Sequence, residues 1–286
     1  MYAITGITGK VGGEVARTLS KAGCAVRAVV RDPRKGDSWA DSGCDVAVAD
    51  MTAAAALTAA FSGARGVFVL LPPVYDPSPD FTETRATVAA LRQALEDARP
   101  AKVVCISTIG AQAKRENMLT QLGMMEQSLG DLPIPITFLR PAWFMENCSW
   151  DLTAARDKGV ISSFLQPLDK PVQMVATADV GRVAAELLQE NWAGRRVVEL
   201  EGPWVSPNEI AATFAEIMGH PVRAEAVPHQ TWEQLFKSQG MKHPEARMRM
   251  LDGFNEGWIE FEHGESKRRI GRIGLKEVLK NLVHGK

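Results

Sequence analysis

The first twelve residues contain the sequence feature that most restricts how this chain can fold. Three glycines, Gly6, Gly9 and Gly12, stand three residues apart directly after a short apolar stretch that begins at Tyr2. The stretch predicts a buried strand, and the residues after it predict a helix with one apolar side formed by Val11, Val15, Leu19 and Ala22. A strand that turns into a helix on glycines leaves the helix N–H groups and positive dipole end open to a pyrophosphate. An ordinary strand-to-helix turn can carry the same glycines, so the rest of the chain has to decide.

Strand and helix patterns alternate from residue 1 to about residue 140. Five further apolar stretches predict strands at residues 25–30, 45–49, 66–71, 102–106 and 136–139. Alternation of this kind predicts an α/β fold, a Rossmann-type doubly wound parallel sheet whose ligands bind at the carboxyl ends of the strands. Residues 1–150 are therefore predicted to form a dinucleotide-binding domain. Residues 151–286 are predicted to form a smaller C-terminal α/β lobe, interleaved with the first domain without a clean linker.

Start signals predict several helices. Thr52 is predicted to cap a helix that ends at Phe61, and Asp179 to cap a helix that ends at about Glu190. Ser206 and Glu209 form a capping box at the start of a third helix.

Composition narrows the class of ligand. The chain of 286 residues has a formal net charge of -1, which does not match a binder of nucleic acid or of an anionic membrane. No apolar stretch approaches the roughly 20 residues that span a bilayer, and no signal peptide precedes the first strand. The four cysteines lack the spacing of a metal site. We therefore expect a cytoplasmic protein with a small-molecule ligand and no bound metal.

The strand ends supply candidate cofactor contacts. Arg31 and Lys35 follow the second strand, where an arginine accommodates the 2'-phosphate of NADP, whereas the neighbouring Asp32 would favour NAD. Three cations around one carboxylate favour NADP, with NAD also possible. The same residues would be equally ordinary in a solvated turn. Other candidates at the turn and the next strand ends are Gly6, Ile7, Thr8, Gly9, Lys10, Val11, Gly12, Asp50, Met51, Leu71, Pro72, Ser107 and Thr108.

Three segments resemble the NmrA-like family of atypical short-chain dehydrogenase/reductases. They are the glycine turn of residues 5–12, Val-Arg-Asp-Pro at residues 30–33, and Leu-Arg-Pro-Ala-Trp-Phe-Met-Glu-Asn at residues 139–147. The resemblance implies NADP binding, with Pro141, Trp143 and Phe144 beside the nicotinamide. It places Tyr75, Met145, Asn147, Trp150 and Trp258 around the substrate, with Phe254 as a further wall residue. Some of these aromatic residues are expected to be plain core.

The chain departs from the parent superfamily at its proton donor. Tyr-x-x-x-Lys is absent, since Tyr2 and Tyr75 are followed four residues later by Gly6 and Pro79. Many members of the family that the chain resembles keep a lysine or histidine in the helix after the fifth strand, where Leu122 or Gly123 stands here. Lys114 is expected in a loop, and Cys148 to be a buried thiol.

The resemblance implies two classes of function. The first is an NADPH-dependent reductase of a small conjugated acceptor such as a quinone, in which hydride transfer needs no tyrosine acid. Ser107 and Thr108 are weak candidates for a catalytic role, because each hydroxyl could instead cap its own turn. The second is a non-catalytic sensor of NADP(H) redox state that binds a regulatory protein.

Overall fold

The structure is a computed structural model that describes residues 1–264 and 267–285. Its strands are β1 (Tyr2–Ile4), β2 (Val26–Val30), β3 (Asp45–Val48), β4 (Gly66–Val69), β5 (Val103–Ile106), β6 (Ile136–Pro141), β7 (Trp143–Phe144), β8 (Val160–Ser163), β9 (Val172–Val175), β10 (Arg195–Glu201), β11 (Trp204–Val205), β12 (Arg223–Ala226) and β13 (Lys267–Ile270). Its α-helices are α1 (Lys10–Lys21), α2 (Asp37–Asp41), α3 (Ala54–Phe61), α4 (Thr82–Ala98), α5 (Thr120–Leu129), α6 (Leu152–Lys158), α7 (Thr177–Gln189), α8 (Pro207–Met218), α9 (Trp232–Ser238), α10 (Glu245–Glu256) and α11 (Leu275–Val283).

Eight strands form one large parallel sheet. Their order is β13-β10-β6-β5-β4-β1-β2-β3, and every neighbouring pair in it is parallel. The order reverses between β1 and β4, so a crevice lies above the carboxyl ends of these two strands, where such folds bind ligands. The predicted doubly wound α/β fold is confirmed.

Successive side chains along the strands enter two separate hydrophobic cores. Ile4, Phe68 and Val104 point to the core that α1 and α7 cover, whereas the next residues, such as Val67 and Val103, point to the core beneath α3, α4 and α5. Because both surfaces of the sheet are covered, its strands are apolar throughout, which is the pattern expected of a buried parallel sheet.

The second half of the chain contributes to both parts of the molecule. Strands β10 and β13 extend the large sheet beyond β6, and α7 packs against α1 and the central strands. The remaining later elements form a three-stranded sheet, β11-β9-β7, and the pair β12-β8, with helices around them. A boundary near residue 150 stays a proposal. Residues 265, 266 and 286 of the proposed second domain lie outside the described residues.

Two predicted helix starts were wrong for the same reason: the expected cap has another partner. The carboxylate of Asp50 accepts hydrogen bonds from the N–H and hydroxyl of Thr52, at 2.9 and 2.6 Å, so α3 begins after Ala53 without a side-chain cap. Helix α7 begins at Thr177, where Glu146 accepts the N–H at 3.0 Å and the hydroxyl at 2.6 Å. Asp179 lies inside this helix and accepts backbone N–H groups from Arg272 and Ile273.

The third helix start is confirmed. Ser206 and Glu209 form the reciprocal capping box at the start of α8. In the described part of the chain, no helix is both long enough and apolar enough to span a membrane.

Candidate functional site

The glycine turn lies at the carboxyl end of β1 and is fixed by two of its three glycines. Gly6 has φ of +61°, a conformation that favours glycine. A Cβ at Gly12 would lie 2.3 Å from the carbonyl oxygen of Gly6, so α1 can pack on the turn only without a side chain there. Gly9 is exposed, and a Cβ at this position would meet only the Gly6 carbonyl oxygen, at 3.3 Å. The turn is therefore tightly packed at Gly6 and Gly12 and exposed to solvent at Gly9.

The start of α1 has the properties of an anion site. In the described residues no side chain caps this helix, and its first turn holds no acidic residue. The exposed residues at this end are Thr8, Gly9 and Lys10, whereas Ile7 and Val11 are buried in the core. Free N–H groups, the helix dipole and the Lys10 cation all favour a bound pyrophosphate.

Four charged side chains follow β2, and only two of them form an ion pair with each other among the described residues. Asp32 pairs with Arg34 at 3.1 Å and accepts its backbone N–H, and these hydrogen bonds lower the pKa of the Asp32 carboxyl. Within residues 1–264 and 267–285, Arg31 and Lys35 are exposed and have no ion-pair partner. The carboxylate that would select NAD is thus occupied, while two cations remain open to a phosphate.

The expected adenine contacts lie beyond β3. The Asp50 carboxylate is held by Thr52, and hydrogen bonds from the Thr52 hydroxyl and N–H lower the pKa of this carboxyl. Met51 is half-buried and packs against the core beneath α3. Any adenine contact here would therefore use the outer edge of this turn.

A buried polar network lies at the carboxyl ends of β5 and β6. The Ser107 hydroxyl donates to Glu126 at 2.5 Å, and Arg140 donates two hydrogen bonds to the same carboxylate, at 2.8 and 2.6 Å. Arg140 also pairs with Glu262 at 2.8 Å. Ser107 is only 4% exposed, so its hydroxyl is committed to Glu126, whereas Thr108 remains partly exposed. Sequence reasoning missed this network, although Glu126, a charged residue between Met125 and Leu129 on the buried side of α5, was its signal.

The loops after β4 and β5 both contact the segment around α10. After β4, the Asp76 carboxylate accepts the N–H groups of Lys242 and His243, at 2.8 and 2.7 Å. After β5, Met118 donates its N–H to the carbonyl of Ala246 at 2.8 Å. These contacts bring the first turn of α10 over the central strand ends.

The other half of α10 contacts β7, the short strand that follows β6. Trp143 and Phe254 meet edge to face, with ring centroids 4.9 Å apart and ring planes at 82°. Arg115, in the loop after β5, pairs with Glu256 at 2.8 Å. Helix α10 is therefore held by the loops after β4 and β5 and by Trp143, on the side of the sheet where the strands have their carboxyl ends.

Sequence reasoning missed α10 entirely. Ala246, Met250 and Phe254 stand four residues apart, and Gly257 follows at the position where helices often end. This spacing was the available signal.

The predicted substrate residues lie in different environments. Tyr75 and Trp150 are exposed, at 54% and 64%, and Asn147 is half-buried. Met145 is fully buried in the core. Trp258 donates its indole N–H to Glu256 at 2.8 Å.

The predicted nicotinamide contacts lie around the central strand ends. Leu71 is half-buried and Pro72 exposed after β4, Pro141 is buried at the end of β6, and Trp143 and Phe144 are half-buried in β7. These residues come together at one edge of the sheet.

The two helix positions at which a proton donor was considered, 122 and 123, carry no side chain that can donate a proton. Leu122 is half-buried in α5, and a Cβ at Gly123 would lie 2.7 Å from the carbonyl oxygen of Ala111. Lys114 is exposed in a bend of the loop after β5. Burial, followed by the charges of Asp151 and Glu146, raises the pKa of the Cys148 thiol to about 12, so this cysteine stays protonated.

Other places in the molecule fit a nucleotide less well. A cavity of about 450 Å³ lies between β11, α8 and the start of α11, and its lining includes Trp204, Glu209 and Glu216. Its carboxylates do not suit a phosphate. The described residues contain no cluster of three potential metal ligands.

Comparisons with known proteins agree with this architecture. The model of the NmrA-like family matches residues 2–270. An NAD(P)H azoreductase from Xenophilus azovorans is 30% identical over 259 residues, which cover 90% of this chain and 85% of the relative. Quinone oxidoreductase 2 from Escherichia coli (strain K12) is 27% identical over 248 residues, which cover 84% of this chain and 82% of the relative.

A solved structure has the same fold over nearly all of both chains. The triphenylmethane reductase of Citrobacter sp., crystallised with NADP(H), superposes with a TM-score of 0.79 at 22% identity and covers 99% of this chain and 100% of that chain. The glycine turn, the eight-stranded sheet and the family match over residues 2–270 lead to one conclusion: the chain belongs to the NmrA-like family.

Proposed function

We propose that this protein is an NADPH-dependent reductase of a small conjugated acceptor such as a quinone. The observation that carries the proposal is an open, uncapped glycine turn after β1 together with an aromatic pair, Trp143 against Phe254, that follows β6. The names of two relatives, an azoreductase and a quinone oxidoreductase, support an acceptor with a conjugated double bond.

The residues present fit NADPH. A side chain on Gly9 would occupy the space that a pyrophosphate needs, and the uncapped start of α1 offers its N–H groups there. Arg31 and Lys35 would hold the 2'-phosphate, because Asp32 is already neutralised by Arg34. When bound, NADPH supplies a hydride from C4 of its nicotinamide ring.

The protein would act mainly by holding and enclosing the acceptor. The half-buried Trp143 ring, held edge to face by the buried Phe254, offers flat apolar surface against which a planar acceptor can stack, and α10 keeps water from this side of the site. Positioning of two reactants in contact can itself supply a large part of a rate enhancement.

No side chain is required as a proton donor in this proposal. The Ser107 hydroxyl donates to Glu126, and Leu122 stands where related chains keep a lysine or histidine. The oxyanion of a reduced quinone is delocalised, so water can protonate it after hydride transfer. The partly exposed Thr108 hydroxyl, two residues after β5, could orient such a water.

Steady-state consumption of NADPH with a panel of small quinones and azo compounds tests this function. We expect turnover with planar acceptors and weaker activity with NADH. Calorimetric titration with NADPH and NADP should accompany it. Tight binding that discriminates between the two redox states, without turnover of any acceptor, would instead support a non-catalytic NADP(H) sensor.

A further inference from the structure

Arg247 of α10 is a partly buried cation without a counter-charge. Its guanidinium carbon lies 4.5 Å from the centroid of the Phe236 ring, and Nη1 contacts the Met241 sulfur at 3.8 Å. In the described part of the chain no carboxylate lies within ion-pair distance of it. Other partly or fully buried arginines are paired with carboxylates: Arg140, Arg182 and Arg196. A desolvated cation contacted only by a ring and a thioether is costly unless an anion joins it.

The electrostatic surroundings of Arg247 agree with this geometry. Burial lowers the pKa of its guanidinium, and the opposing influence comes from the Tyr75 phenol rather than from a carboxylate. Tyr75 lies in the loop after β4 and is 54% exposed. Asp76, the next residue of that loop, is held by the N–H groups of Lys242 and His243 and is therefore turned to the start of α10.

The position of Arg247 relates it to the acceptor side of the site. Arg247 and Phe254 are seven residues apart on α10, so they lie on the same side of the helix, about 10 Å apart along its axis. Phe254 packs against Trp143 at the end of β6. An acceptor that is stacked at Trp143 and extends along α10 would therefore point toward Arg247.

We propose that Arg247 binds an acidic substituent of the acceptor, a sulfonate or carboxylate group held about two helical turns from the reducible centre. The proposal rests on the proposed reductase function and identifies the class of acceptor. A guanidinium binds such a group through two parallel hydrogen bonds, while the Phe236 ring keeps its plane fixed.

Steady-state kinetics with a matched pair of acceptors tests the proposal. The pair is 2-(4-sulfophenyl)-1,4-benzoquinone and the neutral 2-phenyl-1,4-benzoquinone, with NADPH in excess. The parent protein should prefer the sulfonate. In Arg247→Gln the ratio of kcat/KM for sulfonate over neutral quinone should fall about 10- to 100-fold, as expected for loss of a charge-assisted bidentate contact. An unchanged ratio would overturn the proposal.

Arg249→Gln is the matched control. Arg249 lies two residues further along α10, is exposed, and pairs with Glu116 at 3.2 Å. It should leave the ratio within about twofold of the parent value, because surface ion pairs contribute little. Melting temperatures of both variants show whether each still folds. A ratio that falls equally in both variants would mean a general charge effect and would contradict a specific role for Arg247.

A binding measurement separates this proposal from the reductase function. Calorimetric titration of biphenyl-4-sulfonate, which cannot be reduced by hydride transfer, into the NADP-saturated protein reports the anion contact alone. We expect binding by the parent that weakens at least about tenfold in Arg247→Gln. Such a result in a protein that turns over no quinone would reject the reductase function and keep the anion site. Absence of binding to the parent, or equal binding to the variant, would show that Arg247 only stacks on Phe236.

Discussion

At the scale of single residues, the three glycines of the turn have different functions and should respond differently to substitution. In Gly9→Val the Cβ makes a tight contact, 3.3 Å from the Gly6 carbonyl oxygen, and the rest of the side chain extends from the exposed surface of the turn. We expect the variant to fold and to lose NADPH binding in a calorimetric titration. Gly12→Ala is the contrasting control, because its Cβ would lie 2.3 Å from the Gly6 carbonyl oxygen and should lower the melting temperature. Retained NADPH affinity in Gly9→Val would place the pyrophosphate elsewhere.

Arg31 is predicted to discriminate between the two cofactors. Arg31→Ala should weaken NADPH by about 1.5 to 3 kcal/mol, the contribution of a hydrogen bond to a charged group, and leave NADH almost unchanged. Titration of both cofactors into the variant measures this. Arg17→Ala, which removes an exposed arginine paired with Glu14, is the control. An equal loss for both cofactors would show that Arg31 does not contact the 2'-phosphate.

Asp151 predicts a dependence of stability on pH. Burial raises the pKa of its carboxyl to about 6, above the ordinary value of 3.8. Between pH 3.8 and about 6 the folded protein keeps this carboxyl protonated, whereas the unfolded chain releases the proton. The protonated Asp151 therefore contributes to the stability of the fold at low pH, and this contribution is lost as pH rises through about 6. Asp151→Asn should therefore raise the free energy of unfolding at pH 7 by about 2 kcal/mol and hardly at all at pH 4. Urea unfolding at both pH values checks this, with the exposed Asp157→Asn as control.

At the scale of elements, α10 and the end of β6 are predicted to govern acceptor binding. Trp143→Ala removes half of the edge-to-face pair with Phe254 and should raise the KM for a bulky quinone by about 1 to 3 kcal/mol in free energy, the value of burying an aromatic side chain. Trp204→Ala removes an exposed tryptophan of β11 and should have no such effect. Equal KM values in all three proteins would exclude Trp143 from the substrate wall.

Sequence patterns predicted an element correctly where the residues that stabilise it are its neighbours in the sequence. The glycine turn and the Ser206 capping box depend on neighbouring residues, and both have the expected form. The start of α7 depends instead on Glu146, which is 31 residues away from Thr177 in the sequence. No pattern around residue 177 could reveal that contact. The same holds for Ser107, whose hydroxyl finds Glu126 only after α5 packs onto β5.

At the scale of the whole molecule, the second half of the chain completes the core of the first half. Helix α7 covers the side of the large sheet that includes Ile4, Phe68 and Val104, and β10 pairs with the whole of β6. Pairing of β10 with β6, a partner about 60 residues earlier, leaves no local signal in the sequence. The candidate site is likewise assembled from segments far apart in sequence.

A fragment of residues 1–150 should therefore fail to fold alone. It would expose the apolar surface that α7 covers in the full chain, including Ile4, Phe68 and Val104, and would leave β6 as an uncovered edge. Circular dichroism during heating should show no cooperative transition for the fragment and a sharp one for the full chain. A fragment that melts cooperatively and binds NADPH would establish an independent domain boundary near residue 150.

The glycine turn is open and α10 is held in place, and this difference sets the order in which NADPH and the acceptor would bind. The glycine turn is open at Thr8, Gly9 and Lys10, whereas α10 is tied to the loops after β4 and β5 and to Trp143. The diphosphate half of NADPH can therefore dock without moving α10. In the proposed reductase, an acceptor would enter between α10 and a nicotinamide that is already in place, and its product would leave by the same route. For the proposed reductase this geometry gives an ordered sequential mechanism in which NADPH binds first and NADP leaves last.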